Sequence, residues 1–156
     1  MFLIQQKDGQ KKEAIIEPVT SQDYKSIQKE GRFQFDWNNE KKSKVYKVRL
    51  TNSNEIFGLL SLIFNETERW IMINLLECSK ENVGEEKKFD RIAGCLIAYA
   101  CRLAFLEGYD GTVALIPKTV LAQHYMNKYG FEISGRTIFT DRRNSQRLIE
   151  EYLRLE

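Results

Sequence analysis

The chain is poor in the residues that hold metals and staples. It has one histidine, His124, and three cysteines, Cys78, Cys95 and Cys101, an odd number without the spacing of a ligand set. That composition supports neither a zinc site nor a disulfide framework, and it agrees with a reducing cytoplasm. No apolar run is long enough to span a bilayer and the first six residues carry no basic leader, so no membrane partner is expected. A dominant charge is lacking too. The 24 basic and 22 acidic residues leave a formal +2, far from the dense basic stripe of a nucleic-acid binder. There is no repeat, no low-complexity tract and no complete glycine-rich phosphate motif. What remains is a single domain over residues 1–156, long enough to bury roughly 70% of its unfolded surface unaided.

The order of elements is readable. Residues 13–18 predict a strand, and Thr20 or Ser21 caps a helix over 23–29 that Gly31 ends. Phe33, Phe35 and Trp37 then alternate with polar residues, the pattern of packing at the edge of a core. Two β-rich runs, 44–50 and 55–64, flank the turn formers Asn52, Ser53 and Asn54 and predict a hairpin. A third strand over 69–77 is too apolar between Trp70 and Leu76 to be an exposed edge. After a polar loop comes an apolar helix from near Arg91 to Glu107, stopped by Gly108. A strand at 112–116, a helix at 119–128, strands at 131–134 and 137–140, and an amphipathic helix at 143–155 complete the chain.

The junction of loop and apolar helix is the seat of an anion by its physics. First-turn amides have no intrahelical acceptor and sit at the positive end of the helix dipole, and here Lys87, Lys88 and Arg91 gather beside them.

The run Lys88-Phe89-Asp90-Arg91-Ile92-Ala93 and the helix ending Gly108-Tyr109 are followed by a strand, a helix and Tyr129-Gly130-Phe131-Glu132. This order resembles the GNAT acetyltransferase superfamily, whose pyrophosphate loop Q/R-x-x-G-x-G/A opens a central helix. Ala93 matches the last motif position; Lys88 replaces Gln or Arg, and Arg91 replaces the glycine. A side chain at a left-handed position costs about 1 kcal/mol, which a charge-assisted contact from Arg91 to a phosphate, worth roughly 1.5 to 3 kcal/mol, would offset. The resemblance implies an α/β fold with a mixed, mostly antiparallel sheet flanked by helices, and acetyl-CoA as cosubstrate. It implies a cofactor site of Leu76, Cys78, Lys88, Arg91, Ile92 and Ala93, with Lys118 where the family often has asparagine. The expected reaction is direct attack of a primary amine, on a small molecule or a peptide, upon the thioester. Glu77 at the strand end is the expected base, and Tyr125 the expected acid, although it precedes Gly130 by five residues where the family's tyrosine precedes its glycine by four; a one-residue insertion would account for that.

Bland alternatives stand beside these roles. Glu77 also reads as a solvent-facing strand end, Tyr125 and Tyr129 as core, and Cys78 as an inert thiol without a histidine partner. Arg91 and Lys118 also suit a non-catalytic GNAT-like module that binds CoA or acts through protein contacts. The aromatic segment and the C-terminal helix are candidates for a homodimer interface.

Overall fold

The computed structural model describes residues 1–117 and 119–154, with residues 119–121 in backbone only. Lys118, singled out above, and residue 155, the expected end of the last helix, lie outside the described residues.

The chain opens with a strand absent from the expectations, β1 (Phe2–Gln5), followed by β2 (Lys11–Pro18). Helix α1 (Ser21–Glu30) starts where Thr20 and Asp23 exchange side-chain and backbone hydrogen bonds in a capping box, and it ends on a left-handed Gly31. Strands β3 (Lys44–Leu50), β4 (Gly58–Asn65) and β5 (Trp70–Cys78) form an antiparallel meander. β4 begins three residues later than expected because Arg49 binds the carbonyls of Leu50, Thr51 and Ser53 and widens the turn. β5 begins one residue late because Arg69, at φ 60°, closes the preceding turn. A two-residue strand, β6 (Phe89–Asp90), leads into α2 (Ile92–Leu106); then come β7 (Val113–Leu115), α3 (Thr119–Tyr129), β8 (Glu132–Ser134), β9 (Thr137–Thr140) and α4 (Arg142–Tyr152). Among the described residues the strands join in one sheet, β6-β1-β2-β3-β4-β5-β7-β9-β8, and its only parallel pair is β5 with β7.

Helices cover both faces. Helix α2 lies across β4, β5 and β7 and packs against α4. Cys95, Leu96, Ile97, Ala98, Ala100, Cys101 and Ala104 are fully buried there, and each large side chain removed from water contributes about 1.5–3 kcal/mol. Small residues set how closely the layers meet: a Cβ on Gly58 would come within 2.6 Å of Ile92 Cγ2, and one on Gly94 would enter the ring of Tyr152. The other face of β3 and β4 carries a smaller cluster of Ile27, Trp37, Val45, Ile56 and Leu59 under α1. The segment after α1 forms no strand; Trp37 opens a short 3-10 turn and is 2% exposed.

Candidate active site

The site begins where the sheet opens. β5 pairs with β7 only from Ile71 to Ile73, whereas β5 continues beside β4 as far as Cys78. A bulge at Asn74 interrupts the β4–β5 register between Ser61/Leu75 and Leu62/Ile73, bending β5 as it leaves β7. Among the described residues, the edge of β5 that would face β7 therefore has no sheet partner from Asn74 onward.

Beyond Cys78 the chain turns into the loop that brings it to α2, and polar contacts fix that loop. Asn82, 5% exposed, donates from Nδ2 to Ser79 Oγ at 2.9 Å and accepts the Phe89 amide at 3.0 Å on Oδ1. Phe89 stacks on Phe57 at 4.8 Å. β6 pairs with β1, so the N-terminal strand supports the entrance of α2.

Arg91 is the N-cap of α2 and holds a left-handed backbone, φ 82° and ψ 0°. The first helical bond is donated by the Cys95 amide to the Arg91 carbonyl at 2.9 Å, which leaves the amides of residues 92–94 without an acceptor in their own helix. The Arg91 side chain turns away from a forward reach: Nε donates to the Phe2 carbonyl at 3.2 Å and Nη2 to the Glu151 carbonyl at 2.8 Å. Its guanidinium lies 4.1 Å from the ring centre of Phe2 and 4.9 Å from that of Tyr152.

Between this helix start, the loop and α3 lies a cavity of about 480 Å³. Cys78, Asn82, Gly84 and Lys87 line one side; Arg91, Ile92 and Ala93 line the floor; His124, Lys128 and Tyr129 line the wall from α3. Asp90 also faces it. Burial pushes the Asp90 carboxyl up, but the Lys87 ammonium, 2.9 Å away, and the Arg91 amide outweigh that and hold it below the usual carboxylate range. Burial drives the Cys78 thiol up to about 11, so it stays protonated at neutral pH and is no nucleophile. Burial also raises the phenols of Tyr125 and Tyr129, Tyr129 the further, because Tyr152 and Tyr125 crowd it.

Glu77 sits at the end of β5 with its carboxylate turned toward the segment after α1. It accepts three hydrogen bonds, from the Gln34 amide at 2.6 Å, the Phe35 amide at 3.2 Å and Trp37 Nε1 at 2.9 Å. The same segment is tied to the loop beyond β5, since the Lys80 amide bonds the Arg32 carbonyl at 2.9 Å and the Arg32 guanidinium pairs with Glu81. Lys88, a candidate from sequence, lies outside the lining of the cavity; its carbonyl accepts the Gln6 amide at 2.8 Å, and Lys87 takes the position facing inward. Leu76 and Cys78 share a face of β5, both packed against the main core.

No family model matches the sequence, and no curated protein matches it. Solved structures do match by shape. The spermidine/spermine N-acetyltransferase SpeG from Vibrio cholerae superposes with TM-score 0.58 at 16% identity, over 88% of this chain and 96% of that one. Nourseothricin acetyltransferase matches with TM-score 0.57 at 12% identity, over 81% and 95%. The ribosomal-protein-S18-alanine N-acetyltransferase from Escherichia coli matches with TM-score 0.57 at 9% identity, over 81% and 90%. The chain has the GNAT N-acetyltransferase fold.

Within the GNAT fold, the start of α2 stands where the motif order led one to expect it. Helix α3 is continuous to Tyr129 and stops at a left-handed Gly130. Met126, packed against the main core, holds the place four residues before the glycine. Tyr125 lies one residue earlier, against Tyr129 and Phe131 at 5.9 Å each, and outside the cavity lining. Sequence reasoning missed Lys128, Tyr152 and Ile4 as lining residues. Lys128 had a local signal, four residues after His124 and so on the same helix face; Ile4 and Tyr152 reach the cavity only through tertiary packing. Among the described residues no cluster of metal-ligating side chains occurs, and no helix is long and apolar enough to cross a membrane.

Proposed function

We propose that the protein is a divergent GNAT member that transfers an acetyl group from acetyl-CoA directly to a primary amine, carried by a small molecule or a peptide. The observation that carries this reading is the parting of β5 from β7 past Ile73, which leads to a cavity floored by the unpartnered first turn of α2. The free edge of β5 at Leu76 to Cys78 suits the amide-bearing pantetheine arm, and the amides of Ile92 and Ala93 suit the diphosphate. Lys87 and Lys128 add positive charge at the rim.

The amine nitrogen attacks the thioester carbonyl carbon, the carbon–sulfur bond breaks, and the proton the amine loses ends on the departing thiolate. The amine must enter neutral, so the rate rises with pH toward the amine's own pKa. Tyr129, a protonated phenol in the cavity wall, supports hydrogen bonding to the leaving sulfur ahead of Tyr125, which packs behind it. Glu77, the base candidate, has both oxygens occupied by three N–H donors and would have to release one to take a proton. Its geometry favours holding the 34–37 segment against the cleft.

A second reading, a CoA-binding module without transfer activity, is favoured by that occupied Glu77 and by Met126 in the tyrosine's place. Calorimetry with acetyl-CoA, CoA and ADP, followed by thiol release in the presence of a panel of primary amines, tests both. Binding with amine-dependent thiol release supports the transferase; binding without release from any amine supports the module. No binding at millimolar acetyl-CoA overturns both.

A further inference from the structure

A cationic side chain stands at a left-handed helix cap, the conformation that favours glycine, and its guanidinium is taken up by protein carbonyls at the edge of the cavity that the cap opens onto. The backbone at Arg91 is strained relative to glycine, so something must offset it. The guanidinium does so four times over. It binds the carbonyl of Phe2 on β1 and the carbonyl of Glu151 on α4, and it lies between the rings of Phe2 and Tyr152. A hydrogen bond from a charged donor is stronger than one between neutral groups, and a guanidinium over an aromatic face is attracted to the ring. Together they offset the backbone strain.

These contacts join three elements that are far apart in sequence. β1, the start of α2 and the end of α4 meet at one side chain, and Gly94 lets the Tyr152 ring press directly on the first turn of α2. The cap direction decides where the amides of Ile92 and Ala93 point, and both residues floor the cavity. A glycine cap would be free to move; this one is bolted.

We propose that Arg91 is the positioning residue of the anion cradle: clamped by Phe2, Glu151 and Tyr152, it fixes the left-handed cap from which the first amides of α2 take the diphosphate of an acyl-CoA. The inference rests on the acetyl-CoA reading above. It differs from a direct arginine–phosphate contact because the charge of Arg91 acts on protein carbonyls and the ligand meets backbone amides.

The test compares the unaltered chain with Arg91→Lys, Arg91→Gly and Phe2→Leu, each checked for folding by its thermal melt. Affinity for acetyl-CoA and for ADP is measured by calorimetry, and kcat and KM wherever an amine acceptor is found. Lysine keeps the charge but loses the fork and the stacking, so the clamp predicts about tenfold weaker binding of both ligands, in line with the loss of one charged hydrogen bond. Arg91→Gly should weaken binding similarly although it relieves the backbone, and Phe2→Leu, which lies outside the cavity lining, should weaken it by a smaller factor. KM for acetyl-CoA should rise with kcat unchanged. Binding by Arg91→Lys equal to that of the unaltered chain would overturn the clamp in favour of a simple charge effect, and undiminished binding by Arg91→Gly would overturn the clamp and a charge effect alike. No acetyl-CoA binding by the unaltered chain overturns the acetyl-CoA reading itself, and the clamp's role with it, so the two failures are distinguishable.

Discussion

Glu77 and Cys78 are consecutive on β5 and face opposite sides of the sheet, and the two sides are held together by different physics. Glu77 looks toward α1, where the apolar cluster is small and much of the holding is polar. There Lys47, 8% exposed, reaches Asp23 at 2.6 Å and Glu17 at 3.5 Å, Arg49 pairs with Glu17 at 2.6 Å, and Arg32 serves Glu30, Glu55 and Glu81. Cys78 looks toward α2, where the core is continuous and nearly free of charge. The α2 side gives the cavity a rigid floor, and the α1 side gives a loop fixed by directional bonds that a few substitutions would release. A cleft with one stiff wall and one polar, adjustable wall suits a scaffold that keeps one cosubstrate and varies the acceptor.

The comparison breaks hardest on the apolar side. Leu96 is fully buried in α2, and Leu96→Ala removes its contacts and leaves a cavity, for an expected loss of about 3 kcal/mol. Chemical unfolding should show the midpoint falling with its slope unchanged. A loss under about 1 kcal/mol would mean that the helix can sink into the void, and that the α2 side is less rigid than its burial indicates.

The polar side breaks more gently and more locally. Glu77→Ala strips the acceptor from the Gln34 and Phe35 amides and from Trp37 Nε1, at an expected cost of about 1–3 kcal/mol. The tryptophan fluorescence should shift to the red as Trp37 meets water, while acetyl-CoA affinity stays within about twofold, since the cradle lies on the other face. A large loss of acetyl-CoA binding in this variant would show that the two sides are coupled, through the contacts of Arg32 with Lys80 and Glu81.

The same division governs what could be read from the sequence. Helix α2 and strand β5 were legible because a buried apolar run carries its own signal, and a cap at Thr20 or Ser21 because capping residues stand directly before the helix they open. The β1–β6 ladder was not, since two polar-flanked residues at Phe89 and Asp90 have no periodicity and their partners lie at the other end of the chain. The three donors on Glu77 and the two carbonyls under Arg91 are long-range polar contacts that no local spacing encodes. Tyr125 was expected from the resemblance; which face of α3 meets the cavity depended on how the helix packs, and that favoured His124, Lys128 and Tyr129.

Changing pH should loosen the two sides at opposite ends of the scale. On the α1 side the Arg49 hydrogen bond lowers Glu17. For Asp23 and Glu81 burial pulls upward, but hydrogen bonds from Lys47 and Thr20, and from Arg32, outweigh it and leave both below the usual range. Folded pKa values below the unfolded ones give stability that is present above the ordinary carboxylate range and is lost as pH falls through the depressed values. On the α2 side burial lifts Cys78 to about 11 and Cys101 to about 12. That stability is full below the ordinary thiol pKa and disappears as pH rises through those values. Thermal melts across pH, with Trp37 emission and thiol alkylation as local readouts, should therefore show acid releasing the α1 side first and strong base exposing the thiols. Alkylation of Cys78 at neutral pH as fast as that of a free thiol would contradict its burial.

The smallest effect tests whether polar matching on the α1 side is as complete as it looks. Ser61 lies on β4 between Leu60 and Leu62, which face the main core, so its side chain points to the α1 side, opposite Val45 and Leu75. It is fully buried, and its hydroxyl has no hydrogen-bond partner among the described residues. A buried hydroxyl left unpaired costs about 1–3 kcal/mol, while the void left by one oxygen costs less than the removal of a methylene-sized group, about 1 kcal/mol. The two terms oppose, and the first is the larger. Ser61→Ala should therefore be neutral to slightly stabilising in urea unfolding, by up to about 1 kcal/mol, the opposite sign to Leu96→Ala. A clear destabilisation would mean that the hydroxyl is satisfied in solution, and that every buried polar group on this face is matched; stabilisation would mark Ser61 as the point where the polar side yields to simple packing.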